Sequence, residues 1–310
     1  MAAVRLSAPA KVNLFLRVLE RRPDGYHELD TLFQAVDLSD ELLVIRDGSE
    51  VLLSVEGADL GPAEDNLAVR AARAFLERIG SPREGVGIRL HKRVPAGAGL
   101  GGGSSDAAAV LRCLNALWGR PLAGLVLAEL GAALGSDVPF FLGDATLARG
   151  RGRGELLQAQ PPLPVRDLVL VLPPVQVATG PAYSALARHR ETRPVAADAA
   201  AWPRGGFWRW NDVADRAVND FEAVVPAAHP AVAASLEALR RAGAGPALLS
   251  GSGAACFGVF ADGARARATA ADLASSLGWP ALHVRTLAAF PEPEEVTGQA
   301  PGVEPLPAHR

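Results

Sequence analysis

The sequence predicts an α+β fold divided into two lobes. Segments with the two-residue period of strands and segments with the helical period of about 3.6 residues both occur, but they do not alternate regularly, as a doubly wound parallel sheet requires. The 310 residues suffice for one large domain or two ordinary ones. Because the pattern changes near residues 145–165, we expect an N-terminal lobe over residues 1–155 and a C-terminal lobe over 156–290.

Strands are predicted to open the N-terminal lobe. Residues 4–20 mix apolar and polar side chains with a strand-like period, and a Pro-Asp-Gly turn follows them. Further strands are expected over 31–47 and 51–57. Residues 85–94 alternate apolar with basic side chains, which predicts a strand with one buried face.

Helices are predicted to complete this lobe. In residues 64–80, apolar side chains recur at helical spacing, Asp65 or Asn66 can cap the start, and Gly80 can end the helix. Two more helices are expected over 104–119 and 122–135, and a short turn over 136–143.

The C-terminal lobe shows a less regular pattern. Residues 146–164 are predicted to form loops and turns, and 167–174 a buried strand. A long polar stretch over 187–216 holds Trp202, Trp208 and Trp210. The later elements are a helix over 229–244, a strand, glycine turn and strand over 245–260, a helix over 264–278 and a strand over 281–289. The tail 291–310 is rich in Pro, Glu and Gly and is expected to be disordered.

Composition excludes several classes of protein. The formal net charge of −3 argues against a general nucleic-acid binder, which normally carries a basic excess. Apolar runs stay shorter than the roughly 20 residues of a membrane span, and the first residues lack the pattern of a signal peptide. Cys113 and Cys256 lie far apart, which disfavours a zinc site or a disulfide framework. We expect a cytoplasmic protein.

Lysine is rare in this chain. Lys11 and Lys92 are the only lysines, and the other 29 basic residues are arginines. Lysine offers a compact point charge, whereas arginine offers a wide planar fork. Each lysine therefore either marks a place where arginine would not serve or survives by chance.

The glycine-rich stretch PAGAGLGGGSS over residues 95–105 predicts a phosphate-binding loop. Gly97, Gly99 and Gly102 match GxGxxG, but the basic strand before them and the missing acidic residue about 20 positions later disfavour a nicotinamide site. The P-loop pattern also fails, since no lysine follows the glycines. Glycines still let backbone N–H groups approach an anion, at the start of a helix expected near Ser104. Ser104 and Ser105 could cap that helix, touch a phosphate or ligate magnesium.

Three motifs resemble those of the GHMP small-molecule kinases. They are APAKVNLFLRV near the start, PAGAGLGGGSSDAA in the middle and LSGSGAACFGVF near the end, in the family's order over nearly the whole chain. The resemblance implies a two-lobed GHMP kinase fold, with a ribosomal S5-like N-terminal lobe and an α/β sandwich C-terminal lobe. It also implies a kinase that uses ATP and magnesium.

Further segments are similar to one branch of the family, which acts in the non-mevalonate isoprenoid pathway. They are RPDGYHELDTLFQAVDLSD, LGSDVPFFL and NDFE. The resemblance implies phosphorylation of a cytidine diphosphate-linked methylerythritol. A homoserine or mevalonate type of GHMP kinase is the alternative. The expected partners are ATP and this small molecule, without nucleic acid or membrane, and the chain is expected to be a monomer or homodimer.

The resemblance assigns the catalytic roles to two residues. Asp137 would accept the proton of the substrate hydroxyl, although Pro139 next to it also allows a plain helix cap. Lys11 would lie near Asp137, hold its carboxylate ionised and stabilise the transferring phosphate.

The resemblance also assigns binding residues. Tyr26 and His27 would contact cytosine, with Tyr183 opposite Tyr26 so that the base lies between two rings; a hairpin tyrosine and a packed loop tyrosine are the alternatives. Asn13 and Thr179 would contact the substrate. The ATP site would comprise Asn66, Lys92 and the loop residues Pro95, Ala96, Gly97, Ala98, Gly99, Leu100, Gly101, Gly102, Gly103, Ser104 and Ser105. Gly251 and Gly253 would let the C-terminal lobe approach the loop, or would simply form a tight turn.

Overall fold

The computed structural model describes residues 2–192 and 208–296. Its strands are β1 (Ala2–Arg21), β2 (His27–Arg46), β3 (Val51–Glu56), β4 (Val86–His91), β5 (Leu147–Gly152), β6 (Leu156–Ala159), β7 (Asp167–Val171), β8 (Ala247–Leu249), β9 (Cys256–Phe260), β10 (Ala281–Arg285) and β11 (Glu294–Val296). Its helices are α1 (Leu67–Arg78), α2 (Gly102–Leu117), α3 (Gly124–Leu134), α4 (Val138–Leu142), α5 (Thr179–Thr192), α6 (Trp210–Arg216), α7 (Val225–Ala228), α8 (Pro230–Arg241) and α9 (Gly263–Leu277). Short 3-10 helices cover Ala63–Asp65 and Asp220–Ala223.

Within the described residues the strands form two sheets, one in each lobe. The larger has seven strands in the order β11-β1-β2-β4-β3, with β5 paired to β2 and β6 to β5. Only β3 and β4 run parallel in it. The smaller sheet has the order β10-β7-β9-β8 and is antiparallel. The α+β class with two lobes is therefore confirmed.

Helices α1 and α2 form the core of the first lobe with the larger sheet. Ala68, Ala71 and Phe75 lie on one face of α1 and are buried. Their spacing of three or four residues is what an amphipathic helix requires. Burial of a phenylalanine such as Phe75 contributes about 1.5–3 kcal/mol. This packing gives α2, whose N-terminus carries the glycine loop, a fixed position.

The β1–β2 hairpin is the long element that crosses the site. Its register shifts between Pro9 and Ala10, and again between Asn13 and Phe15. Such bulges bend a strand and redirect its side chains. They flank Lys11 and Asn13, two of the residues expected in the site.

The prediction of loops over 146–164 is wrong. This segment contains the β5–β6 hairpin, and β5 pairs with β2 from Leu29 to Gln34. Glycine is a weak strand former, but pairing with the partner strand overrides this local preference. Arg149 adds a two-pronged ion pair with Asp30, with both N–O distances at 2.7 Å. Strand β6 therefore also belongs to the larger sheet, which contains β1 to β6 and, at its other edge, β11.

Two other segments contain more structure than their composition indicates. In the polar stretch 187–216, α5 extends to 192 and α6 occupies Trp210–Arg216; Trp202 lies outside the described residues. The tail is not disordered from residue 291, since Glu294–Val296 pairs with β1. Composition could not predict this strand, because it forms by pairing with the otherwise unpaired edge of β1. Residues 297–310 lie outside the described part. No helix in 2–192 or 208–296 has the length and apolar character to cross a membrane.

Candidate active site

A cleft of about 710 Å³ lies between the lobes and gathers all of the residues predicted for catalysis and substrate binding, together with part of the predicted ATP loop. Strands β1 and β2, the glycine loop, the start of α4, and α5 all contribute to its wall. The predicted residues that line it are Lys11, Asn13, Tyr26, His27, Gly99, Gly101, Asp137, Thr179, Tyr183 and Gly251. The structure thus brings these distant segments together in one cleft, and the chemical roles of their residues stay predictions.

The carbonyl groups of the glycine loop are held on its protein side. The Gly99 carbonyl accepts hydrogen bonds from Lys11 Nζ and Ser250 Oγ, each at 2.9 Å. The Leu100 carbonyl accepts one from the Lys11 backbone N–H at 2.9 Å. With these carbonyls engaged, the loop can present N–H groups rather than oxygens to an anion.

Helix α2 begins at Gly102, two residues earlier than predicted. Its N-cap residue is Gly101, whose φ of 73° is left-handed. The first backbone donor bonded across this turn is Ser105 N, which donates to the Gly101 carbonyl at 2.9 Å. Ser104 and Ser105 therefore lie inside the first turn and do not cap the helix. The N–H groups before Ser105 remain at a positive helix end, which favours an anion.

The third motif packs directly on this loop. A Cβ built on Gly99 would lie 2.1 Å from the Ser250 carbonyl oxygen, so only glycine allows this approach. Gly251 N donates to Asn13 Oδ1 at 2.9 Å, and Ala255 N donates to the Ala98 carbonyl at 3.1 Å. The expectation that glycines bring the C-terminal lobe to the loop is confirmed.

Lys11 and Asp137 face each other in the cleft, as expected. Lys11 Nζ lies 3.6 Å from Asp137 Oδ2. Burial lowers the pKa of Lys11, and the Asp137 carboxylate opposes this shift. Asp137 sits at the N-cap position of α4, yet its side chain makes no capping hydrogen bond. The carboxylate therefore pairs with Lys11 and does not cap the helix; its role as a proton acceptor stays a prediction.

Asn13 connects Lys11 to its surroundings. Its Oδ1 accepts from Lys11 Nζ at 2.8 Å, and its Nδ2 donates to Thr31 Oγ1 at 2.8 Å. The side chain is buried, and it borders the cleft. Asn13 thus fixes the position of the ammonium as well as facing the expected substrate.

The aromatic residues are arranged differently from the prediction. The ring opposite Tyr183 is His27, with centroids 5.0 Å apart and planes inclined by 20°. Tyr26 is 55% exposed, and the Arg153 guanidinium covers its ring at 4.9 Å. Tyr26 and Tyr183 therefore do not form a site for a base between their rings in this structure, because His27 already occupies one face of Tyr183. Burial, followed by Arg21 and Arg190, lowers the pKa of His27.

Thr179 and Asn66 occupy helix starts beside the site. Thr179 Oγ1 lies 3.2 Å from Ser252 Oγ, which joins the start of α5 to the third motif. Asn66 caps α1 as predicted, because its Oδ1 accepts from Ala68 N at 2.9 Å. Contact between Asn66 and adenine stays a prediction.

Lys92 does not line the cleft. Its ammonium is buried between the carboxylates of Asp40 and Asp106, at 2.8 Å from Asp106. A Cβ built on Gly102 would lie 3.3 Å from Lys92 Nζ, so the ammonium lies beneath the start of α2. Asp40 also accepts hydrogen bonds from the two N–H groups that precede Pro95. The structure therefore gives Lys92 a supporting position behind the loop, and a contact between Lys92 and ATP stays a prediction.

Several cleft residues were missed by the sequence analysis. The most informative is Arg153, a cation at the cleft beside Tyr26. The only signal for it was the repeated Arg-Gly pattern in a segment predicted to be loop. Ser136 and Phe33 also line the cleft and were not singled out. Among the described residues, no group of three His, Cys, Asp or Glu side chains could hold a metal ion.

Comparisons with known proteins agree with this geometry. Residues 66–144 match the GHMP kinases N terminal domain and residues 209–277 match GHMP kinases C terminal. The chain is 41% identical to 4-diphosphocytidyl-2-C-methyl-D-erythritol kinase of Citrifermentans bemidjiense, over 93% of this chain and 100% of that protein. It is 45% identical to the kinase of the same name from Pelotomaculum thermopropionicum, over 85% and 91% of the two chains.

Solved structures show the same fold. A crystal structure of 4-(cytidine 5'-diphospho)-2C-methyl-D-erythritol kinase matches with a TM-score of 0.72 and 38% identity, over 91% of this chain and 98% of that one. Homoserine kinase from Cytophaga hutchinsonii shares the fold at 20% identity, with a TM-score of 0.69 over 95% and 97%. The chain therefore belongs to the GHMP kinase family, and within it to the 4-diphosphocytidyl-2-C-methyl-D-erythritol kinases.

Proposed function

We propose that the protein transfers the γ-phosphoryl group of ATP to the 2-hydroxyl of 4-diphosphocytidyl-2-C-methyl-D-erythritol. The relatives that carry the name of this kinase match nearly the whole chain. The observation that carries the proposal is the Lys11–Asp137 pair, 3.6 Å apart, in a cleft bounded by the glycine loop at one end and by the His27–Tyr183 rings at the other.

The Lys11–Asp137 pair supplies the chemistry of the transfer. Asp137 accepts the proton of the substrate hydroxyl while the oxygen of that hydroxyl forms the new bond to the γ-phosphorus. The bond from that phosphorus to the bridging oxygen of ADP breaks, and ADP leaves. Lys11 offsets the negative charge of the transferring group, and its ammonium is held by Asn13 and Gly99.

The glycine loop binds the phosphates of ATP in this proposal. Residues 95–105 offer backbone N–H groups, and the start of α2 adds its positive end. Asn66 at the start of α1 lies on the side where we place adenine. Lys92 acts from behind the loop, through its ion pairs with Asp40 and Asp106.

The cytidine diphosphate end of the substrate occupies the opposite side of the cleft. A base gains stacking energy on an aromatic ring, and His27 on Tyr183 provides a rigid pair of rings. A neutral imidazole offers one donor and one acceptor to the base edge. Tyr26, Thr179 and the Arg153 guanidinium complete this end, and the arginine charge suits a diphosphate.

Magnesium would be held mainly by ATP itself. Such ions usually take one or two protein carboxylates and several phosphate oxygens. Asp137 and the hydroxyl of Ser104 or Ser105 fit this small donor set; the Ser105 hydroxyl is buried without a hydrogen-bond partner. When bound, magnesium neutralises phosphate charge. We also propose a cytoplasmic location and a monomer or homodimer.

A panel of alcohols tests the proposed function. Purified protein with ATP and magnesium is given 4-diphosphocytidyl-2-C-methyl-D-erythritol, homoserine or mevalonate, and ADP release is followed. We expect turnover of the cytidine compound alone. A preparation of the Asp137→Asn variant controls for contaminating kinases. Turnover of homoserine or mevalonate without the cytidine compound would overturn the proposal.

A further inference from the structure

The NDFE segment, residues 219–222, has no role in the mechanism above, yet its side chains contact several walls of the cleft. Asn219 Nδ2 donates to the carbonyls of Leu249 and Gly251 at 2.7 and 2.8 Å, at the third motif. Phe221 meets the ring of Tyr183 edge-on, with centroids 4.9 Å apart. The segment therefore lies where the phosphate end and the ring end of the cleft are joined.

Asp220 ties helix α5 to strand β1. Its Oδ2 accepts hydrogen bonds from Val18 N at 2.8 Å and from Arg190 Nη2 at 2.5 Å. Arg190 Nη1 donates in turn to the Val18 carbonyl at 2.5 Å. The aspartate side chain is only 6% exposed and that of Arg190 23%. A charged pair this well buried and hydrogen-bonded holds its two elements at a fixed distance.

Arg190 stands on the same face of α5 as the ring it would position. Tyr183, Ala187 and Arg190 follow one another at spacings of four and three residues, which places them in one row along the helix. Tyr183 and Ala187 line the cleft. A contact that fixes Arg190 therefore also fixes the cleft side of the helix, where Tyr183 lies.

We propose that Arg190 and Asp220 are positioning residues for base recognition: their ion pair holds α5 against β1 and keeps Tyr183 stacked on His27. The inference rests on the proposed function, since it takes the ring pair as the cytosine site. It assigns a task to a segment that makes no direct contribution to phosphoryl transfer.

The same arginine also affects the charge of His27. Burial lowers the pKa of His27, and the charges of Arg21 and then Arg190 lower it further because they disfavour the imidazolium. Loss of the arginine charge should therefore raise the pKa of His27. A residue that only stabilised the lobe at a distance from His27 would leave this pKa unchanged. The titration of His27 therefore separates a positioning role at the ring pair from a general role in stability.

Arg190→Gln tests the inference, and Arg17→Gln is its matched control. Arg17 pairs with the other oxygen of the same carboxylate, at 2.9 Å, but it belongs to β1 and not to α5. We expect Arg190→Gln to raise KM for 4-diphosphocytidyl-2-C-methyl-D-erythritol about tenfold, which corresponds to about 1.4 kcal/mol. The KM for ATP should change less than about twofold, roughly 0.4 kcal/mol on the same scale. NMR titration should show the pKa of His27 raised in Arg190→Gln and unchanged in Arg17→Gln.

The outcomes are distinguishable. If the wild type does not turn over the cytidine compound, the proposed function fails. If it does, and Arg190→Gln and Arg17→Gln change KM for this substrate equally, the inference is overturned. Thermal unfolding shows whether both variants fold. Should Arg190→Gln not fold, Arg190→Lys is compared with Arg17→Lys. Lysine keeps the charge but replaces the two nitrogens with which Arg190 contacts Val18 and Asp220 by one, on a differently shaped side chain. The KM difference is then expected without the change in the pKa of His27.

Discussion

Replacement of Gly99 by alanine tests the contact between the glycine loop and the third motif. The residue has a φ of +80°, and a Cβ there would lie 2.1 Å from the carbonyl oxygen of Ser250. Real Cβ atoms essentially never approach closer than 3.0 Å, so the backbone must shift by about 1 Å. That shift would disturb the Gly99 carbonyl, which accepts from Lys11 Nζ and Ser250 Oγ.

The expected loss of stability has two parts. The left-handed conformation costs a residue with a side chain about 1–2 kcal/mol. Each hydrogen bond lost from the Gly99 carbonyl removes roughly 1 kcal/mol more. Gly97→Ala isolates the first part, because Gly97 has a φ of +68° but open space around its Cβ position. Gly99→Ala should therefore be less stable than Gly97→Ala by about 2 kcal/mol.

Thermal unfolding measures this difference. For a domain of ordinary size, about 2 kcal/mol lowers Tm by roughly 4–8 °C. The KM for ATP should also rise more in Gly99→Ala than in Gly97→Ala, since the displaced carbonyl no longer holds Lys11 and the loop in place. Equal Tm values for the two variants would refute the argument that the third motif braces the loop.

Three further predictions concern the site. Asp137→Asn should lower kcat by roughly 10²–10⁴-fold, as loss of a general base does, whereas the exposed Asp144→Asn should leave steady-state kinetics unchanged; near-normal turnover in Asp137→Asn would remove this residue from the mechanism. Tyr183→Ala should raise KM for the cytidine substrate and leave that for ATP nearly unchanged, so an equal rise in both KM values would contradict the base site. Burial raises the pKa of Asp106 to about 7, so the stability that protonation of this residue contributes is lost as pH rises from about 4 to 7. Asp106→Asn should therefore raise the free energy of unfolding in urea, relative to the wild type, more at pH 8 than at pH 5. An equal effect at both pH values would contradict the raised pKa of Asp106.

Much of the site could be predicted because its motifs lie in short, continuous segments. The approach of Lys11 to Asp137 was expected from the resemblance, and the structure places them 3.6 Å apart. The cap of α1 by Asn66 was readable from local chemistry alone. The cap depends only on the residue type and its neighbours, whereas the approach of Lys11 to Asp137 joins distant segments and was indicated by the family motifs alone.

Other features depend on tertiary packing and could not be derived locally. Helix α2 begins at Gly102 although glycine has a low helix propensity. A Cβ at this position would lie 2.9 Å from Val94 Cγ1, so only glycine fits. Arg153 reaches the cleft because the β5–β6 hairpin pairs with β2, which its Arg-Gly sequence does not indicate. The stack of His27 on Tyr183 requires α5 to be held against β1, and the ion pair that does so joins residues far apart in the chain.

The scarcity of lysine has a physical explanation in the structure. Lys11 and Lys92 are both buried against the glycine loop, and each pairs with a carboxylate. The Lys11 ammonium must satisfy Asn13 Oδ1 and the Gly99 carbonyl at once. An arginine at position 11 would place a wider guanidinium against these same two acceptors. Lys92 Nζ is enclosed in a similar way by the carboxylates of Asp40 and Asp106, whereas the other 29 basic residues of the chain are arginines.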